Sequence, residues 1–167
     1  FNQVNLGNNS HSNLHKTYFT SDDFNYRFGG KLLILSPQKN DPFWMALRTS
    51  FGRNQGSNHQ GYSFYELINT FRVNNWLAFN FSPKYFFSGV ESFGGIGLSS
   101  YINLLDNLQL IPEINTACKK KSELNSTLAL RYNYSQKASV DLYYSNAAGI
   151  QDIGQLLEDK EHRLGIK

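Results

Sequence analysis

Arg27, Lys31, Arg48, Arg72, Lys84, Arg131, Arg163 and Lys167 fall on one side of stretches that alternate polar and apolar residues. Glu66, Glu113 and Asp141 fall on the same side. Alternation places residues i and i+2 on one face of a strand, so these charges share a face. Their register can be set by requiring apolar residues to meet apolar residues across each hairpin, because a slip of one residue turns every side chain over. This rule puts Arg131 opposite Asp141, Glu66 opposite Lys84, and Arg48 opposite Glu66. Two chemistries suit such a face. One is an ion-pair network that fills an interior, and the other is a basic passage that favours small anions. The network is preferred, because an unpaired buried charge is costly and several of these charges have a partner in register.

Other reactive residues offer less. His11, His15, His59 and His162 are scattered, and a metal site would need them to converge with a carboxylate such as Asp22 or Asp23. A serine nucleophile would need a histidine and an acid within reach, and no G-x-S-x-G elbow occurs. No metal, no cofactor and no catalytic residue is therefore assigned. Gly94-Gly95-Ile96-Gly97 lies inside an alternating stretch with no helix after it, so it is not a nucleotide motif. Its inward glycines make room for a large neighbour such as Tyr101, or allow curvature. The single cysteine, Cys118, excludes an internal disulfide. Net charge is +3. The one basic run, Lys119 to Lys121, carries no interleaved aromatics, so nucleic acid is not an expected partner.

The elements that must position the charged face are strands. Apolar residues alternate with polar ones through Phe24–Ile34, Phe43–Phe51, Leu67–Val73, Leu77–Phe81, Ile96–Leu104, Leu108–Ile114, Leu124–Tyr132, Val140–Tyr144 and Leu164–Ile166. That makes nine strands, with a weaker tenth in Phe1–Gly7. Pairing Val73 with Leu77, Leu104 with Leu108 and Tyr134 with Ala138 leaves three short turns, and Ser36–Pro42 is a fourth short connection. The opposite connections, 52–61, 87–91, 117–122 and 147–161, are longer. The last is expected to hold a helical turn around Ile153–Leu157.

Aromatic residues gather at the strand ends. Trp44, Trp76 and Tyr134 lie beside the short turns. Tyr85, Phe87 and Tyr144 lie beside the longer loops, with Phe51, Tyr62, Phe64, Tyr65, Phe86 and Phe93 near them. Aromatics make up 15% of the chain and charged residues only 17%, while Asn supplies roughly a tenth. Mean hydropathy is −0.46. No run is long enough for a membrane helix, which needs about 18 apolar residues or more.

Alternating strands of about ten residues, short turns at one end, longer loops at the other and two aromatic belts make the chain resemble a bacterial outer-membrane β-barrel. The resemblance implies one all-β domain spanning residues 1–167, or the C-terminal part of a longer barrel. It would be an antiparallel up-and-down barrel of about ten strands. It implies a lipid bilayer as partner and an outer-membrane location with the signal peptide upstream of Phe1, and the excess of basic over acidic residues on the inward face adds small anionic solutes as the alternative partner. It implies a non-enzymatic role as narrow channel, surface scaffold or assembly module. The chain departs from the class in ending on Lys167 rather than on an aromatic residue. The alternative is a soluble β-sandwich or barrel that binds a ligand such as a glycan through Trp44, Trp76 and the tyrosines. A third reading is an outer-membrane enzyme acting on lipid.

Overall fold

A computed structural model describes residues 4–5, 25–54, 61–119, 124–135, 138–149 and 152–166. The alternating stretches form one antiparallel sheet. Its long strands are β2 (Asn25–Leu35), β3 (Trp44–Asn54), β4 (Gly61–Arg72), β5 (Leu77–Ser88) and β6 (Ser92–Leu105). They continue as β7 (Leu108–Ala117), β8 (Leu124–Ser135), β9 (Ala138–Ala147) and β10 (Glu158–Ile166). Each of these nine pairs with its neighbour in sequence, in up-and-down order. The weak N-terminal stretch supplies only a two-residue strand, β1 (Val4–Asn5), which pairs with β10 through Val4–Ile166 and Asn5–Gly165. The sheet is not closed: among the described residues no ladder joins β1 to β2.

The pairings follow the alternation closely. Arg48 faces Glu66, Glu66 faces Lys84, and Arg131 faces Asp141. The turn after Val73 closes as expected, with the Val73 amide donating to the Leu77 carbonyl at 3.0 Å. The other two turns tighten at the tip. Leu105, not Leu104, meets Leu108, and Ser135, not Tyr134, meets Ala138. A bulge absorbs the extra residue in each case, so the faces of the strands are unchanged below it. The connection after β2 is a short 3-10 helix, Pro37–Lys39, closed by Asn40 in the left-handed region. The connection between β9 and β10 holds the expected helical turn, at Asp152–Leu156.

The two faces of the sheet are sorted in an unusual sense. Lys84 and Glu66 are only 4% and 6% exposed, whereas Phe28 and Leu32 are 69% and 67% exposed. Ser50, Ser82, Asn115, Asn125, Ser145 and Arg163 are also buried. Phe71, Phe79, Phe81, Leu98, Leu128 and Leu142 are exposed. The polar face therefore turns inward. It is completed toward the longer loops by an apolar cluster of Tyr62, Phe64, Phe86, Phe93, Ala117, Ile153 and Leu156. The last two come from the short helix, which sits against the concave face.

One outward polar residue has a specific task. Leu67 and Pro83 oppose each other at a hydrogen-bonding position of the β4–β5 ladder, as the alternation from the Val73–Leu77 closing bond requires. Proline has no N–H to give, so the Leu67 carbonyl loses its cross-strand donor. Asn69 fills the gap: its side-chain amide donates to the Leu67 carbonyl at 3.3 Å and to the Phe81 carbonyl at 3.1 Å. Asn69→Leu would add apolar surface outside but strand that carbonyl. The expected loss is about 1–3 kcal/mol of unfolding free energy in a urea titration. An unchanged midpoint would show that the carbonyl finds another donor.

Candidate functional site: an inward ion network

The alternation of β2 to β5 lines up Lys31, Arg48, Glu66 and Lys84 as one row across four strands. Arg48 donates to Glu66 at 3.0 Å, and Lys84 lies 3.4 Å from the other oxygen of Glu66. Lys84 also reaches Glu113 on β7 at 3.5 Å and donates to Asn115 at 2.5 Å. Asn115 in turn donates to Glu113 at 2.8 Å. The Lys84 ammonium fits because β6 carries glycine here. A Cβ at Gly97 would stand 2.9 Å from that nitrogen, and one at Gly95 would stand 2.5 Å from a Leu156 methyl. The inward glycines thus make room for Lys84 and Leu156, not for Tyr101.

The centre of the network is a residue outside the strands. Asp152 opens the short helix and is completely buried. Arg27 of β2 grips it in a two-bond fork, with Nε 2.6 Å from Oδ2 and Nη2 3.0 Å from Oδ1. Arg48 of β3 donates to Oδ1 at 2.6 Å, and the Tyr62 hydroxyl of β4 donates to Oδ2 at 3.0 Å. Its backbone φ of 50° lies in the left-handed region, which Asp and Asn tolerate better than other side-chain-bearing residues. One turn on, Gln155 accepts from Lys84 at 2.6 Å, and its carbonyl accepts from Asn125 of β8 at 2.9 Å. Five strands therefore hold one five-residue helix in the hollow of the sheet.

Arg131 and Asp141 form a separate pair nearer the short turns. Both guanidinium bonds are in place, at 2.7 and 2.8 Å. The side chains retain 33% and 13% of their exposure, so water reaches the pair. Asp141→Ala is expected to cost about 1–3 kcal/mol, as for a hydrogen bond to a charged group, rather than the larger loss of a fully buried pair. Urea unfolding of the variant measures it, and no loss would mean that solvent screens the pair entirely.

Of the charged residues singled out from the sequence, Arg48, Glu66, Lys84 and Glu113 meet, and Arg131 meets Asp141. Arg72 does not join them. It lies exposed at the short-turn end and donates to the Asn74 carbonyl and the Asn75 side chain. The charge network also includes Asp152 and Arg27, with Tyr62, Asn115 and Gln155 as neutral partners. Arg163 donates to the Ala148 carbonyl at 3.0 Å. Lys167 lies outside the described residues.

The aromatic belts divide. Tyr134, Tyr85, Phe87 and Tyr144 are exposed on the apolar face, at the strand ends expected of them, and Trp76 is exposed in the turn before β5. Trp44 is a correction. It shares the face of Ala46 and Arg48 and lines an inward hollow with Thr70, Arg72 and Tyr101. Tyr62, Phe64, Phe86 and Phe93 also turn inward, into the apolar cluster. Their alternation with Glu66, Lys84 and Gly95 already carried that signal. His162 stacks on Tyr144 with ring centres 5.0 Å apart. His11, His15 and His59 lie outside the described residues, as do Lys120 and Lys121. Lys119 pairs with Glu91 and covers the Phe93 ring.

Comparison with protein-family models, with curated proteins and with solved structures finds no match.

Proposed function

We propose that this chain is a bacterial outer-membrane β-barrel, sealed inside and non-enzymatic, that serves as a membrane-anchored scaffold rather than an open pore. The observation that carries the reading is the sorting of the two faces. Phe28, Leu32, Phe71, Phe79, Phe81 and Leu128 point away from the network while lysine, glutamate and asparagine are buried. A soluble sheet places its apolar face in the core, whereas a lipid-facing barrel reverses the arrangement. Exposed Trp76 and Tyr134 at one end, with Tyr85, Phe87 and Tyr144 at the other, suit two headgroup levels.

Closure into a barrel is part of the proposal. The sheet curls far enough that Arg27, on β2 at one side, grips Asp152, which leads into β10 near the other. A spanning sheet must satisfy its edges, and closure does so. The interior of a barrel of about ten strands is narrow, and side chains fill barrels of nearby size. Here the helix and the ion network occupy that space, which favours the scaffold over the channel.

The test is detergent dependence. The refolded chain should stay monodisperse only in detergent and should migrate faster on a gel before boiling than after. In a planar bilayer the wild type should show no steady open-pore conductance. A monodisperse monomer in plain buffer would overturn the membrane assignment. Glycan binding through exposed Trp76 and Tyr134 would then be the reading to pursue.

A further inference from the structure

We infer that the concave face carries a binding site for a small oxyanion such as phosphate, built from Lys31, Arg27 and Arg48. These three cations line a hollow of about 400 Å³ together with Gly29, Gly30 and Thr49. None of the described residues that line it is acidic. The inference deepens the membrane proposal. It rests on that reading only for the side from which the anion arrives.

The charges that face this position suit an anion. Among the described residues Arg27, Arg48 and Lys84 engage the carboxylates Glu66, Glu113 and Asp152, Arg27 has a further contact besides, and Lys31 is the cation left over. Each carboxylate is already engaged by Arg27, Arg48 or Lys84. Among the described residues Lys31 pairs with no carboxylate, and directly opposite it stands Arg48. Like charges facing each other across a ladder repel. Both carboxylates that bind Arg48, Glu66 and Asp152, are shared with other cations. A negative group in the hollow would lie between Lys31 and Arg48 and turn the repulsion into two charge-assisted hydrogen bonds.

The lining suits an oxyanion. Gly29 presents no side chain on the inward face between Arg27 and Lys31, so only backbone borders the hollow there. The two guanidinium groups and the ammonium together offer several N–H donors, which suits a group with several oxygens better than a halide. Lys31 itself is exposed, so it can move onto a ligand without breaking an existing bond.

The experiment titrates inorganic phosphate against chloride at constant ionic strength and reads heat of binding and the unfolding midpoint. The refolded full chain is used in detergent, or in buffer if it proves to need none, so the membrane reading and the anion site fail separately. Saturable binding is expected, with a rising midpoint. Lys31→Gln should weaken binding about tenfold, the loss of one charge-assisted contact. Lys39→Gln, on the short helix after β2, should leave it unchanged. Without phosphate, Lys31→Gln should keep or raise the midpoint, since it removes a repulsion.

Four results would overturn the inference. They are no saturable response in the wild type, equal affinity in Lys31→Gln, a midpoint lowered by that substitution in chloride alone, and loss of the phosphate response when phosphatidylglycerol is mixed into the micelles. The last would assign the cations to a lipid headgroup instead of a free anion.

Discussion

Asp152→Asn should destabilise the fold by about 2–3 kcal/mol, the loss of charge-assisted hydrogen bonds from a buried carboxylate to Arg27 and Arg48, whose own side chains keep 35% and 23% of their exposure. The substitution keeps the size of the side chain and its tolerance of the left-handed backbone, so the loss reports the charge. Arg27 would lose the fork that ties it to the short helix, Arg48 would keep only Glu66, and the Tyr62 hydroxyl would meet a neutral acceptor. Urea unfolding followed by gel migration and tryptophan fluorescence measures the shift. A loss below about 1 kcal/mol would mean that Arg27 and Arg48 reach water in the folded protein, as exposed pairs do. A second readout follows from the proposed sealing. With the helix released from β2, β3 and β4, the variant should conduct in a planar bilayer where the wild type does not. Conductance unchanged despite a large loss of stability would show that the side chains alone close the interior.

Lys84→Met is expected to cost about 3 kcal/mol, at the low end of the range for breaking a buried pair. The ammonium is almost fully buried and touches Glu66, Glu113, Asn115 and Gln155. Its loss is softened because Glu66 keeps Arg48 and Glu113 keeps Asn115. Methionine fills most of the lysine volume, so packing against Gly97 changes little. The double variant Lys84→Met with Glu66→Gln should recover part of the loss, since neither site then buries its charge. Contacting pairs of this kind couple by about 0.5–3 kcal/mol. Strict additivity in that cycle would place Lys84's energy in Glu113 and Asn115 instead.

The charged row was legible in the sequence because alternation and turn length together fix register. Once Val73 met Leu77, Glu66 had to meet Lys84. The turn tips were less legible. Asp106-Asn107 makes a good tight turn on its own, so Leu105 closes on Leu108 and a bulge absorbs the residue that apolar matching had left in the loop. Depth was not legible at all. Arg72 alternates in phase with Glu66, yet phase says which face a residue is on, not how far along the strand it lies. Arg72 stands at the wet end, where loop oxygens reach it first. Trp44, Phe64 and Phe86 were placed by closeness to a strand end, although their phase with Arg48, Glu66 and Lys84 put them inside. Asp152 left no mark, because the 147–161 connection has no period from which to read a direction. Only the folded hollow, with Arg27 and Arg48 pointing into it, gives that carboxylate its place.

The short helix also has a consequence for the order in which the molecule is made. Each long strand pairs with the one before it, so hairpins can be laid down in sequence at little cost in chain entropy. Asp152 is different: its partners Arg27, Arg48 and Tyr62 are separated from it by 125, 104 and 90 residues. They are in position only after β2, β3 and β4 have curled toward the end of the chain. Docking of the helix is thus a late step that reports whether the whole sheet has formed in register. A one-residue slip in any hairpin between would carry those partners to the wrong face and leave Asp152 unbound. The network therefore forms only on a sheet whose intervening strands are all in register, and a sheet assembled out of place lacks the stabilisation it supplies.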